Sequence, residues 1–386
     1  MTAPAFPFAE RPRLEPPAEY ARLPELCPVR LAGGRDALLA SGYETVRTVL
    51  ADPRFSRAAF TARPMFAREP GSLALVTSDP PGHGRRRGSI AHAFTARQAR
   101  ELRPDLVRLA GELLDDLRAA GTPADLVPAF TLPYPMLVMC RLLGIPDADR
   151  HVLKPWVDAM MSTSAYPPDV VAAAHQRMTA YFHEAVEAGR GLIGELRADP
   201  ALTREEVVVL ASGLLIAGYE TTGNQLAIGA YLLLREPALV RRLRTDPSAV
   251  VDEILRWTPF NATGGIPHVA TEDVPLGTTV VRAGQVVVPL TDAANRDPSV
   301  YPDPHRLDPD RPARPHLAFG YGRHRCPGAH LARVQLEVGL LALFDTFPDL
   351  ALAVPEERLP WRHGMFVRGL WSLPVRWGPG GKETTQ

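Results

Sequence analysis

Apolar residues recur every three or four positions through much of the chain. In "ARELRPDLVRLAGELLDDLRAAG" that spacing predicts an amphipathic helix, and patterns of this kind dominate from about residue 96 to 235. An earlier stretch, "ALLASGYETVRTVLADPRFSR", predicts a short strand, a helix and a stop at Asp52-Pro53. Beyond Pro267 the texture changes. "VATEDVPLGTTVVRAGQVVVPL" has valine runs cut by Gly and Pro, which predict short strands and hairpins. Helix returns after Cys326. The pattern therefore predicts a mainly α chain with a smaller β-rich region: strands in about 30–60 and 262–315, and a helical body over about 85–258 and 326–346, all in one domain spanning 1–386.

One stretch departs from amphipathicity. "LTREEVVVLASGLLIAGYETTGNQLAIGAYLLLREP" opens with Thr203 and Glu206 in a capping-box pattern and ends at Pro237. About thirty residues at 1.5 Å each reach about 45–50 Å. The stretch is apolar on nearly every face, which predicts burial. Glu220, Thr221, Thr222, Asn224 and Gln225 nevertheless interrupt its middle. Burying an unpartnered ionisable group costs several kcal/mol. Glu220 either meets an arginine or lies in a polar notch facing a cavity where chemistry occurs.

Composition narrows the function classes. Of 386 residues, 46% are hydrophobic and 22% charged, as in soluble globular proteins. Lys+Arg and Asp+Glu balance at 43 each, so no global basic field for nucleic acid or membrane is implied. The N-terminal stretch has no basic-then-apolar targeting pattern, and the longest apolar run, 207–218, is too short to span a bilayer. Three separated cysteines make no disulfide framework. These features predict a cytoplasmic protein.

In "AFGYGRHRCPGAHLAR" a single cysteine, Cys326, lies among Gly320, Gly322 and Gly328 and beside Arg323, His324 and Arg325. A lone cysteine is more often a small buried hydrophobe. Here the glycines permit close backbone approach, and a following helix and nearby cations favour thiolate over thiol. Three uses stay open. Cys326 and His330 are four apart, a possible metal pair, although no further ligands cluster nearby. His324 could serve a cysteine nucleophile as base. An axial thiolate to haem iron accounts for glycines that admit a flat macrocycle and for cations that meet its carboxylates.

The stretch from Phe319 to Gly328 resembles the F-G-x-G-x-H-x-C-x-G signature of soluble bacterial cytochrome P-450 enzymes. Four further segments resemble that family in the same order: "DPPGHGRRR", Ala217-Gly218-Tyr219-Glu220-Thr221-Thr222, Glu253-Ile254-Leu255-Arg256 and "AANRDPSVYPDP". The resemblance implies the cytochrome P-450 fold, with haem b between the long central helix and the Cys-loop helix. It implies Cys326 as iron ligand, Phe319 and Gly320 beside the haem, and His83, Arg87 and His324 at its propionates. Ala217 and Gly218 would leave space for dioxygen where the long helix bulges, Thr221 would assist oxygen activation, and Glu220 would relay protons. Glu253 and Arg256 would form a buried structural pair. His268 stands where many relatives carry arginine. It either replaces that propionate contact with a group titrating near neutrality or is a plain turn histidine.

The resemblance also places distal-pocket regions. Their candidates are Phe60, Met65 and Phe66, then Trp156, Met160, Met161 and Tyr166, then Phe260, Asn261 and Thr263, and last Met365 and Phe366. Together they imply a medium-sized apolar or aromatic small-molecule substrate. Pro327 is similar to the residue in some relatives that couple aromatic rings. Hydroxylation and oxidative C–C or C–N coupling, for instance of a cyclodipeptide, both fit, with O2 as co-substrate. The chain shows no flavin or iron–sulfur domain. Electrons would come from a ferredoxin and ferredoxin reductase docking near Arg85, Arg86, Arg323 and Arg325. A haem-binding sensor or carrier without turnover is the alternative.

Overall fold

The computed structural model describes residues 3–8, 13–61, 75–262, 264–312 and 315–378. Three pocket candidates, Met65, Phe66 and Thr263, lie outside them. The chain divides into two compact units, Met1–Gly88 with Glu253–Pro327, and Ser89–Asp252 with Gly328–Gln386.

The first unit is built on a mixed six-stranded sheet. Its strands run in the order Ala5–Phe6, Leu26–Leu31, Asp36–Ala40, Val286–Pro289, His268–Ala270 and Phe55–Ser56. The valine run is continuous because both faces of its strand are covered. Val286 and Val288 pack with Leu39, Phe60 and Val269, while Val287 packs on the other face with Tyr43, Val46 and Leu50 from the helix Tyr43–Ala51. The hairpin Val274–Leu276/Thr279–Val281 completes the strands expected after Pro267.

The second unit is helical. The helix Arg204–Arg235 is 32 residues long. Thr203 and Glu206 form the capping box from both sides, and Glu236, just before Pro237, caps its end. It packs against Pro133–Leu143, Pro168–Ala188 and Ala329–Thr346. Its buried middle needs small residues at helix crossings, and Gly218 shows why: a Cβ there would stand 2.3 Å from Met139 Sδ. Gly218 is thus a point of close helix–helix packing. A three-stranded antiparallel sheet, Ala351–Leu352, Pro374–Arg376 and Ala124–Asp125, was not anticipated, because two- and three-residue strands leave no periodicity to read. Among the described residues no helix is long and apolar enough to cross a membrane.

Candidate active site

The cysteine loop belongs to the first unit. Gly320 and Gly322 take φ of 67° and 69°, and a Cβ on Gly322 would stand 2.7 Å from the Leu50 carbonyl oxygen, so the loop must press bare backbone onto the end of the helix Tyr43–Ala51. The Cys326 N–H donates to the Phe319 carbonyl at 2.8 Å, and the Gly320 N–H donates to that of Leu317 at 2.8 Å, closing a tight turn around the half-buried sulfur. Arg323 is tied back through Nη2 to the Asp52 carbonyl at 2.9 Å. Arg87 lies close enough to Cys326 for the two to interact electrostatically. Cys140 contrasts with it: burial pushes that thiol up to about 12, so it is an inert core residue.

Beside the loop, imidazoles and guanidinia converge. The ring centroids of His83, on the helix Gly82–Ala91, and His324 lie 4.2 Å apart; among the described residues Nε2 of each is buried without a hydrogen bond, and that of His324 lies 4.0 Å from Asp79 Oδ1. Burial lowers both from the usual histidine range, reinforced at His83 by Arg87 and Arg323 and at His324 by Arg57. Gly82 and Gly84 do not prevent that helix from forming. His268 is 1% exposed, and its Nε2 accepts from Arg57 Nε at 3.1 Å. Burial first, and Arg57 second, lower it to about 3. This corrects the expectation of a group titrating near neutrality: His268 is neutral over the physiological range. Arg57 was missed, since it stands in no recognisable spacing, and Asp79, the first residue of "DPPGHGRRR", was not singled out within that segment. Among the described residues the cluster joins Arg57, Arg87 and Arg323 to the carboxylate of Asp79, and two imidazole nitrogens make no hydrogen bond. Such a donor set fits a dianionic cofactor edge, and Cys326 is the soft ligand a haem iron takes.

Glu253 and Arg256 form a buried bidentate pair with both contacts at 2.7 Å. Arg256 also donates to the carbonyls of Asn295, Pro304 and Arg306, and Glu253 accepts the Asp308 N–H at 2.8 Å. The pair thereby pins the irregular segment before the cysteine loop, and Asn295 Oδ1 accepts the Leu317 N–H at 2.6 Å to extend that hold to the loop's base.

In the second unit the long helix opens along one stripe. Ala217 is exposed and Gly213 and Thr221 are half-buried, spaced four apart, whereas residues 222 to 233 are all buried. The Thr221 hydroxyl donates to the Ala217 carbonyl at 2.5 Å, and the helix stays α-helical throughout. The expected bulge is therefore not present; the hydroxyl attaches to an intact backbone ladder. Glu220 is fully buried. Its Oε1 accepts from Arg362 Nη1 at 2.6 Å, while Oε2 has no protein partner. Arg362 also donates to Asn224 Oδ1 at 3.0 Å, lies 3.6 Å from Asp158 and stacks on Trp371 at 4.4 Å. Lys154 Nζ completes the chain of charges, 2.6 Å from the other oxygen of Asp158. Burial raises the Glu220 pKa, and Arg362 opposes the rise. Glu220 thus meets an arginine, the first of the two possibilities its sequence position offered. Arg362 and Asp158 carry no sequence signal toward it.

The pocket candidates separate. Phe60 is a core residue packed against Val269, Val286 and Val288, which corrects its placement in a pocket. Phe260 and Asn261 are half-buried in the first unit, where the Phe260 N–H donates to Asp292 at 3.3 Å. In the second unit, Trp156 packs edge-on against Tyr181. Met160, at the end of its helix, is followed by a loop that pairs with the segment around Met365 and Phe366. Ser162 bridges Met365, the Phe366 N–H donates to the Met161 carbonyl at 2.8 Å, and the Gly364 carbonyl accepts from Thr163, Ser164 and Ala165 at 2.8–3.1 Å. Met365 itself is fully buried. Arg86 is only 5% exposed, so it is removed from the expected docking surface, whereas Arg85 and Arg325 are exposed.

The cytochrome P450 family profile matches residues 175–353. Nocardicin C N-oxygenase of Nocardia uniformis subsp. tsuyamanensis is 40% identical, with 97% of this chain and 98% of that protein covered. Mycinamicin IV hydroxylase/epoxidase of Micromonospora griseorubida is 39% identical over the same shares. Among solved structures, a cytochrome P450 with biaryl coupling reactivity superposes with a TM-score of 0.91 at 37% identity, covering 97% of this chain and 100% of the other. The chain belongs to the cytochrome P450 family. It is a haem-thiolate oxidoreductase of the monooxygenase class, with iron held by an axial cysteine thiolate.

Proposed function

We propose that this enzyme oxidises a small apolar or aromatic specialised metabolite, by hydroxylation or by oxidative coupling, and that the whole chain serves as one catalytic domain. The observation that carries the site assignment is the buried cluster beside Cys326, where among the described residues His83 Nε2 and His324 Nε2 make no hydrogen bond, the latter standing 4.0 Å from Asp79 Oδ1, among several guanidinia. Cys326 would hold the haem iron, Phe319 and Gly320 would shape the turn that admits the macrocycle, and His83, Arg87 and His324 would meet its propionates. The bound haem supplies oxygen activation, one oxygen atom going to substrate or both leaving as water, with electrons from outside the chain. Thr221, on the open stripe of the long helix beside Ala217, holds its hydroxyl proton on the Ala217 carbonyl and can turn it toward a polar group arriving there. Glu220 keeps one carboxylate oxygen on Arg362 and the other without a protein partner, which makes it the proton carrier next in sequence to Thr221.

The substrate class is supported by the half-buried Met160, Met161 and Phe366, which the Met161–Phe366 backbone bond brings together, and by relatives named for oxygenation of natural products and for biaryl coupling. Electrons would come from a ferredoxin with its reductase, docking through Arg85, Arg323 and Arg325. The test is a metabolite library screened for low- to high-spin Soret shifts, then turnover with NADPH and a surrogate ferredoxin pair. A product heavier by one oxygen identifies hydroxylation, and a dimer lighter by two hydrogens identifies coupling. Soret shifts without substrate-dependent NADPH consumption would instead identify a sensor or carrier. Cys326→His should abolish the red-shifted ferrous–carbonyl band of a thiolate-ligated haem, and survival of that band would remove Cys326 from the iron.

A further inference from the structure

We infer that His305 is a pH-sensitive clasp, which ties the irregular segment before the cysteine loop to the base of that loop. The inference lies outside the oxidation proposed above, and it rests on the haem-thiolate assignment of Cys326 for only one of its two readouts.

The clasp starts at the last residue of the helix Pro247–Trp257. Arg296, 8% exposed, donates through Nη2 to the Trp257 carbonyl at 2.6 Å and lies 4.6 Å over the Trp257 ring. Its Nη1 stands 3.1 Å from His305 Nδ1. The Trp257 indole N–H in turn donates to the His305 carbonyl at 2.7 Å. Indole, guanidinium and imidazole thus close a ring of contacts around residues 257, 296 and 305. A guanidinium offers only donors, so His305 Nδ1 accepts, and the imidazole is neutral while that bond is made. Asn295, next to Arg296, carries the hold inward. Its Oδ1 accepts the Leu317 N–H at 2.6 Å, and the Leu317 carbonyl accepts the Gly320 N–H at 2.8 Å in the turn around Cys326. Successive hydrogen bonds therefore join an exposed ring to the cysteine loop.

Protonation opposes this arrangement, because it turns the acceptor into a donor aimed at a cation. Burial, then the charges of Arg296 and Arg256, lower the His305 pKa from the usual histidine range. Glu253, on the same helix as Arg256, is engaged by Arg256 and by the Asp308 N–H. Asp297, beside Arg296, accepts from the Tyr43 N–H and from Ser299. On the histidine's own segment Asp303, Arg306 and Asp308 are the charged neighbours. Arg311 crosses that segment, donating to the carbonyls of Asp303 and Arg306 at 3.1 and 3.0 Å, and Arg256 holds the carbonyls on either side of the histidine, those of Pro304 and Arg306. Acid would turn the ring into water, which its exposure permits, and leave 304–306 held through its backbone alone. The unfolded chain takes the proton first, so the clasp is complete above the ordinary histidine pKa of 6.5 and is lost as pH falls below it. His268 and His324, at about 3 and about 2, do not share the upper part of that window.

The test compares the wild-type holoenzyme with His305→Asn and His305→Phe on both sides of the histidine range, at about pH 7.5 and about pH 5.5. Asparagine keeps an acceptor oxygen near the place of Nδ1 and does not titrate, whereas phenylalanine removes the acceptor. One readout is hydrogen exchange at the amides of Leu317 and Gly320, corrected for the intrinsic effect of pH. The other is the rate at which the red-shifted ferrous–carbonyl band is lost. In the wild type both should be roughly three- to ten-fold faster at the lower pH, the scale of one lost hydrogen bond. His305→Asn should lack that acceleration, and His305→Phe should show the faster values at both pH values. Acceleration in His305→Asn equal to that of the wild type would overturn the inference. So would wild-type protection of Leu317 and Gly320 in His305→Phe at the higher pH. If His305→Phe does not fold, His305→Asn decides alone. Exchange is read without reference to the iron ligand, which separates the two levels. Absence of the band from the wild type at the higher pH rejects the thiolate assignment, while its presence with exchange that ignores His305 rejects only the clasp.

Discussion

Glu220 and Arg362 stand 142 residues apart in the chain and meet at 2.6 Å, with side chains 0% and 1% exposed. Removing the guanidinium leaves a buried carboxylate without its counter-charge. Arg362→Met should therefore cost about 3–5 kcal/mol of unfolding free energy. Glu220→Gln keeps an oxygen for Arg362 and should cost less. The double variant should be more stable than the sum of the two single losses implies, because Arg362 then no longer leaves a charge behind. Urea unfolding of the four proteins measures this coupling.

Thr221→Ala should divert reducing equivalents. With the hydroxyl gone, proton supply at the open stripe of the long helix weakens, so a larger share of NADPH should appear as hydrogen peroxide and a smaller share as product. Thr221→Ser should retain most of the coupling. Peroxide and product measured against NADPH consumed give the ratio, and unchanged coupling in Thr221→Ala would remove the residue from the reaction.

Gly218→Ala would drive a methyl group into Met139, whose Sδ lies 2.3 Å from the ideal Cβ position. Overpacking of this kind costs about 1–3 kcal/mol. Met139→Ala should relieve the clash, so the double variant should lose less than the two single losses combined. Thermal unfolding midpoints check the comparison.

His268 gives the apoprotein a defined acid sensitivity. Its folded-state pKa is depressed to about 3 from an ordinary 6.5. For a base so depressed, the unfolded chain binds the proton first. The stability contribution is therefore complete above pH 6.5 and is lost as pH falls from there toward about 3. The slope due to this one group is at most about 1.4 kcal/mol per pH unit. His268→Gln should flatten the dependence of apoprotein unfolding on pH by about one proton across that window. An equal slope in the variant would contradict it.

The legible parts of this protein were those written in local spacing. The capping box at Thr203 and Glu206 and Pro237 bounded the long helix, and the valine runs cut by Gly and Pro pointed to the short strands beyond Pro267. The cysteine loop was legible because its chemistry requires glycines and cations within ten consecutive residues. What escaped was set by register and by tertiary approach. Arg57 faces His268 only once two short strands pair in one register, and Arg362 finds Glu220 across 142 residues. Phe60 was misplaced because an aromatic side chain in a loop-rich stretch looks the same whether it lines a cavity or fills the sheet core. The approach of Met139 to Gly218 was hidden as well: smallness shows in sequence, but not which neighbour packs against it.

The Gly364 carbonyl gathers three successive N–H groups, from Thr163, Ser164 and Ala165, and the Phe366 N–H returns the connection to Met161. Segments far apart in the gene are in this way a single inheritable piece. A chimaera that imports a relative's 161–166 loop without its 361–369 partner puts the geometry of four backbone bonds at stake at once, whereas exchanging both together moves them as a set. Recombination that diversifies such enzymes therefore has reason to move these two stretches in concert, and paired-segment libraries should yield more folded variants than libraries that vary either one alone.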